Sequence, residues 1–233
     1  MNRVLITGAG RGIGLACAKK FLNEGWEVVA HYNKSKQFVD LLSNDRFSIF
    51  EADFSFNPHC DNFISYIKNC HNDKKYFNAL VNNVGVYDNS RLLILIESLF
   101  KINVITPTLL TLEVFNGMKE NNGGNIVNIS SISARHGSPP DRIFYGQSKR
   151  ALEGLTRTLS REGARYGICV NTVRPGITNT DFHEGYGKDL EARAKKNPMG
   201  RMAEPHEIAR VVFNLCDKNY LVTGQTVTVS GGE

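Results

Sequence analysis

Tyr145 and Lys149 stand four residues apart at the head of a stretch whose Ala151, Leu152, Leu155 and Leu159 recur with helical spacing. On a helix the two side chains share a face. A phenol near its ordinary pKa of about 10 is a weak acid-base group at neutral pH, and a neighbouring ammonium favours the phenolate. Tyrosine and lysine also meet at this spacing on many solvated helices, so the pair needs company. Upstream, Asn125-Ile126-Val127-Asn128-Ile129 is an apolar strand-like run that ends in Ser130 and Ser131. Hydroxyls at the end of a strand can bond a carbonyl oxygen of a substrate, and they can equally bond their own backbone. Asn103 lies early in an apolar helical stretch, where a buried amide needs partners.

A second kind of chemistry begins near residue 1. Thr7-Gly8-Ala9-Gly10-Arg11-Gly12-Ile13-Gly14 follows the strand-like Val4-Leu5-Ile6 and precedes a helical pattern from Leu15 to Phe21. Glycine at 8, 12 and 14 lets the backbone turn sharply and approach a ligand. The free N–H groups and positive dipole end of the helix then attract a pyrophosphate, which makes a dinucleotide the natural ligand. The pattern is G-x-x-x-G-x-G, since Ile13 stands where G-x-G-x-x-G would place its last glycine.

These groups must be held by a common frame. Strand-like runs recur at 3–7, 26–31, 46–51, 77–82, 124–130, 168–173 and 226–229, with helical patterns between them. The alternation predicts an α/β fold, a doubly wound and mostly parallel seven-stranded sheet covered by helices on both faces. Ligands collect at the carboxyl ends of such strands, where the motifs fall. The 233 residues suffice for one domain and are too few for a nucleotide domain with an independent substrate domain. The loop-rich segment 176–204, with Gly176, Gly185, Gly187, Pro198 and Gly200, is a candidate substrate loop.

Composition narrows the classes. No apolar run approaches the roughly 20 residues of a membrane span, and the early glycine turn breaks any signal-peptide core. Five scattered cysteines without a C-x-x-C pair predict a reduced, cytoplasmic protein without a metal site. The net charge of +5 is spread along the chain with no basic stripe, which argues against nucleic acid and fits anionic substrates or simple solubility.

Taken in order, the glycine loop, Asn82-Asn83-Val84-Gly85, Asn103, Asn128-Ile129-Ser130-Ser131, Tyr145-Gly146-Gln147-Ser148-Lys149 and Val170-Asn171-Thr172-Val173-Arg174-Pro175-Gly176 resemble the short-chain dehydrogenase/reductase family over nearly the full length. Gly200-Arg201, Pro205 to Ala209, Thr223-Gly224-Gln225 and Ser230-Gly231-Gly232 are similar to its bacterial 3-oxoacyl-acyl-carrier-protein reductase branch. The resemblance implies a single-domain Rossmann fold that binds NAD(P)H and reduces a carbonyl. Tyr145 would be the general acid, Ser131 would polarise the carbonyl with Ser133 as a second candidate, and both serines with Tyr145 would contact substrate. Lys149 would bind the nicotinamide ribose and lower the tyrosine pKa, and Asn103 would order a water that links Lys149 to solvent.

On the cofactor side it implies that Gly8, Gly10, Arg11, Gly12, Ile13 and Gly14 hold the pyrophosphate. Asp53, beside Phe54, would accept from the adenine amino group, and Asn83 with Gly85 would wall the nucleotide. Pro175, Gly176, Ile177, Thr178 and Thr180 would turn over the nicotinamide. The end of the second strand, Ala30 to Ser35, lacks the acid that would bind a ribose 2′-OH, so NADPH is expected over NADH, with Arg11, Asn33, Lys34 and Ser35 at its 2′-phosphate. The family also implies a homo-oligomer, tetramer or dimer, although the segment from Gly85 to Asn103 is shorter than its norm. A 3-oxoacyl thioester, possible on a carrier protein, is the leading substrate. Ser131 and Tyr145 are 14 residues apart, about one more than usual in the family, which also admits sugar, polyol or aldehyde substrates. A non-catalytic NADP-binding regulator is the alternative of another class.

Overall fold

The computed structural model describes residues 1–89, 91–183, 190–217 and 221–233. Seven strands form one sheet: β1 Arg3–Ile6, β2 Glu27–Tyr32, β3 Phe47–Glu51, β4 Ala79–Asn82, β5 Gly124–Ile129, β6 Ile168–Pro175 and β7 Thr226–Val229. Their order is β3-β2-β1-β4-β5-β6-β7, and every adjacent pair is parallel. The expected "mostly parallel" sheet is therefore wholly parallel. Its strands lie within a few residues of the expected runs.

Alternation explains the two cores. Val4, Ile6, Val28, Ala30, Val81 and Val127 point to one face, where helices α1 Gly12–Asn23 and α8 Pro205–Cys216 pack with Phe21 and Phe213. Leu5, Val29, Leu80 and Ile126 point to the other, beneath α2 Asn57–Asn72, α4 Thr106–Glu120 and α6 Ile143–Gly163. Strands apolar on both sides have to be covered on both sides, which is the physical content of the doubly wound reading.

Helix α3 Leu93–Phe100 runs through a π-helical turn, Lys101–Ile105, directly into α4. The continuous helix Leu93–Glu120 has the length and apolar composition of a membrane span, which corrects the expectation that nothing in the chain does. Glu97, Lys101, Asn103 and the threonines divide the sequence into short apolar runs, and only the unbroken helix joins them. Its inner face places Leu110, Val114, Phe115 and Met118 in the second core beside bonded polar groups such as Thr111, whose hydroxyl accepts from Asn82 at 2.6 Å.

The expected loop 176–204 contains short helical order of its own. A single turn at Asp181–His183 and helix Leu190–Lys196 flank residues 184–189, so Gly185 and Gly187 lie outside the described residues. A bridge from Thr178 to Ala203 closes the base of this segment.

Candidate active site

At the carboxyl ends of β1, β2, β4, β5 and β6 lies a cleft of about 710 Å³. The glycine turn forms its floor. Gly8 and Gly12 take φ of +67° and +56°, a region that disfavours any side chain. A Cβ at Gly14 would come within 2.2 Å of the Gly8 carbonyl, so this glycine packs under the turn and does not line the cleft. Asn83 locks the turn from β4, its amide donating to the carbonyls of Thr7 at 3.0 Å and Gly8 at 2.9 Å. Helix α1 starts with neither a side-chain cap nor an acidic residue in its first turn. Its leading N–H groups and dipole are thus open to an anion, and a pyrophosphate fits this floor.

His31, a residue that motif reading passed over, ties the floor to the sheet. The Gly8 N–H donates to its Nδ1 at 3.1 Å, and its Nε2 lies 2.9 Å from the Ala52 carbonyl. Burial lowers its pKa to about 4, so the ring is neutral and donates through Nε2. It stacks on Phe54 with centroids 4.0 Å apart. Asp53 accepts from the Ser55 N–H at 2.8 Å and from its hydroxyl at 2.6 Å, and these bonds hold its carboxyl below the usual range.

Around the 2′ end, Arg11, Asn33, Lys34 and Ser35 all line the cleft. Glu51, the carboxylate paired in register with Tyr32, does not line it. Its oxygen accepts from the Tyr32 hydroxyl at 2.6 Å and faces Lys36 at 3.7 Å.

The inner end holds Tyr145, Lys149 and Ser131 together. Tyr145 and Lys149 occupy the first two turns of α6, and Ser131 follows β5. The Ser131 hydroxyl stands near the phenol and opposes the rise that burial imposes on its pKa. Burial wins, and the phenol is pushed up to about 12. The Lys149 ammonium is 6.0 Å from the tyrosine ring centroid, and it donates to the Ile129 carbonyl at 3.0 Å. Burial lowers its pKa to about 8. Burial is thus the larger influence on the phenol.

Asn103 is fully buried in the π turn. Its Nδ2 donates to the Val86 carbonyl at 2.8 Å and the Ser148 hydroxyl at 3.0 Å, while Oδ1 accepts from the Val86 N–H at 2.8 Å. With both amide protons engaged by protein, the side chain joins the loop after β4 to α6. Pro175, Gly176, Thr178 and Thr180 line the cleft from β6 onward. Ile177 lines a neighbouring cavity of about 80 Å³ together with Ser131, Ser133 and Tyr145.

A family model described as enoyl-(acyl carrier protein) reductase matches residues 8–233. The chain belongs to the short-chain dehydrogenase/reductase family. It is 32% identical to 3-oxoacyl-[acyl-carrier-protein] reductase FabG of Rickettsia conorii, over 98% of this chain and 95% of that protein. A solved 4-hydroxyisoleucine dehydrogenase complexed with NADH superposes with a TM-score of 0.90 at 27% identity, covering 100% of this chain and 98% of the other. ElxO with NADP bound superposes with a TM-score of 0.85 at 26% identity, covering 99% and 97%. As a short-chain dehydrogenase/reductase, the chain is an oxidoreductase of a family that uses nicotinamide cofactors.

Beneath the short-chain dehydrogenase/reductase site lies a buried ion pair that motif reading also missed. Arg174 on β6 donates through Nε and Nη2 to Glu153 on α6, at 3.0 and 2.8 Å. Ser130, next to Ser131, donates to the same carboxylate at 2.9 Å. Glu153 stands four residues after Lys149, so a helical count from the motif would have found it.

Proposed function

We propose that the protein is an NADPH-dependent carbonyl reductase that converts a ketone to a secondary alcohol with Tyr145 as general acid. The observation that carries this reading is that the Ser131 and Tyr145 hydroxyls line the inner end of the cleft together, with the phenol still protonated at neutral pH. A carbonyl oxygen placed between the two hydroxyls accepts from both. NADPH, when bound, supplies a hydride to the carbonyl carbon, and the Tyr145 proton passes to the oxygen as charge develops there. Lys149 would hold the ribose hydroxyls and, as an ammonium below about pH 8, would stabilise the phenolate left behind. Asn103 acts as the strut that fixes the Gly85–Val86 loop against α6.

The preference for NADPH is supported by Arg11 and Lys34 on the cleft and by the removal of Glu51 from it. Arginine can grip a 2′-phosphate through two donors. The segment 176–204 is read as the substrate loop, and the acyl-carrier-linked 3-oxoacyl thioester as one candidate substrate, given the likeness to FabG. All five cysteines are free and buried, which supports a reducing, cytoplasmic setting. A homo-oligomer is supported by the apolar residues Leu92, Leu93, Ile94, Ile105 and Leu109, all exposed along α3 and α4.

The test is NADPH oxidation by purified protein against acetoacetyl thioesters, simple ketones and aldoses, with NADH and Tyr145→Phe in parallel. The expected result is ketone turnover that is weaker with NADH and falls by about 10²- to 10⁴-fold in the variant. NADPH binding without turnover of any carbonyl would favour the regulator instead.

A further inference from the structure

We propose that the 80 Å³ cavity beside Tyr145 is a carboxylate subsite and that the preferred substrate is a short oxo acid. This rests on the carbonyl-reductase reading and names its substrate class. The cavity shares Ser131, Tyr145, Gly176 and Phe182 with the large cleft, so a group seated in it is continuous with a carbonyl at the two hydroxyls. A liquid water occupies about 30 Å³, which leaves room for roughly a carboxylate and a carbon or two.

Its lining supplies charge. Arg142 stacks over the Tyr87 ring with its guanidinium carbon 5.3 Å from the centroid, and Tyr87 in turn meets Tyr145 edge-on at 5.4 Å. The guanidinium is thus one ring away from the acid. Its Nε lies 3.0 Å from Asp141 Oδ2 in an ion pair without hydrogen-bond alignment, and the two terminal nitrogens meet no acceptor among the described residues. A half-buried guanidinium fork without a protein acceptor is matched by the two oxygens of a carboxylate.

Ser138, whose hydroxyl is buried without a partner, also lines the cavity. So does Arg193, 3.8 Å from Glu233. Neither Asp141 nor Glu233 lines it, so both carboxylates of these pairs stand outside the space that the arginines bound. A long neutral acyl chain finds in this cavity neither the volume nor a match for the exposed donors, which it would leave desolvated and unpaired.

The experiment compares acetoacetate and 4-oxopentanoate with their methyl esters as substrates of the wild type and of Arg142→Gln. Calorimetry of malonate binding to the NADPH-loaded protein runs beside it. The wild type is expected to prefer acid over ester in kcat/KM by at least about tenfold, a hydrogen-bonded charge contact being of that size. In Arg142→Gln that ratio falls toward one and malonate binding is lost. Esters used as well as acids, together with no malonate binding, overturn the subsite and leave the reductase standing. Malonate bound equally by both proteins also overturns it. Malonate binding that needs Arg142, with no acid or ester consumed, supports the subsite and instead sinks the reductase reading.

Discussion

Lys149 and Tyr145 are moved in opposite directions by the same burial, to about 8 and about 12, and this sets an expected pH profile. The phenol stays protonated across the ordinary range, while Lys149 loses its charge as pH rises through about 8. The kcat/KM for reduction should therefore fall above that pH, as read from initial rates between pH 6 and 10. A profile flat through pH 9 would remove the ammonium from the mechanism. His31 makes a separate prediction about stability. Its pKa falls from 6.5 to about 4 on folding, so the unfolded chain takes up the proton first as pH drops. The neutral ring's contribution is complete above pH 6.5 and is lost as pH falls toward 4, amounting to about 3 kcal/mol. Urea unfolding at pH 7 and pH 4.5 should show that loss in the wild type and a smaller one in His31→Gln.

Helix α6 carries Tyr145, Lys149 and Glu153 on successive turns, and strand β6 brings Arg174 to meet them. Glu153→Leu leaves that guanidinium buried with its main partner gone, at a cost of about 3–5 kcal/mol, and Arg174→Met in the same chain should recover most of it. Denaturant unfolding of the single and double variants measures the recovery; additive losses would mean that the pair is not coupled. The strands around these groups were legible because Val4 to Ile6, Ala79 to Val81 and Ile126 with Val127 are apolar on consecutive positions, as burial on both faces requires. The glycine turn was legible because its conformation restricts residue type. The π turn at Asn103 was not, since it depends on the distant Val86 and Ser148. His31 and the cavity at Arg142 were hidden for the same reason: each is defined by partners far away in the chain, and no local spacing announces them.

Over the whole surface, the clearest anomaly is the apolar face of α3 and α4, where Leu93 and Ile94 are each 68% exposed. A second copy covering this face would make it an interface of the kind obligate dimers use. Leu93→Glu with Ile94→Glu should shift sedimentation to the monomer with little change in the unfolding of the monomer, because neither side chain is part of either core. An unchanged sedimentation coefficient would place any interface elsewhere. The strand order carries a further consequence, this time for the chain as it is made. Gly8 is translated well before its partner, because the amide that pins its carbonyl belongs to Asn83, 75 residues later. At about 5–20 residues per second the nascent glycine turn waits roughly 4–15 s for that pin, with the β4 edge of β1 open meanwhile. The pyrophosphate floor is thus finished only after β4 has left the ribosome and joined β1, which makes it a late product of a motif that is contiguous in sequence.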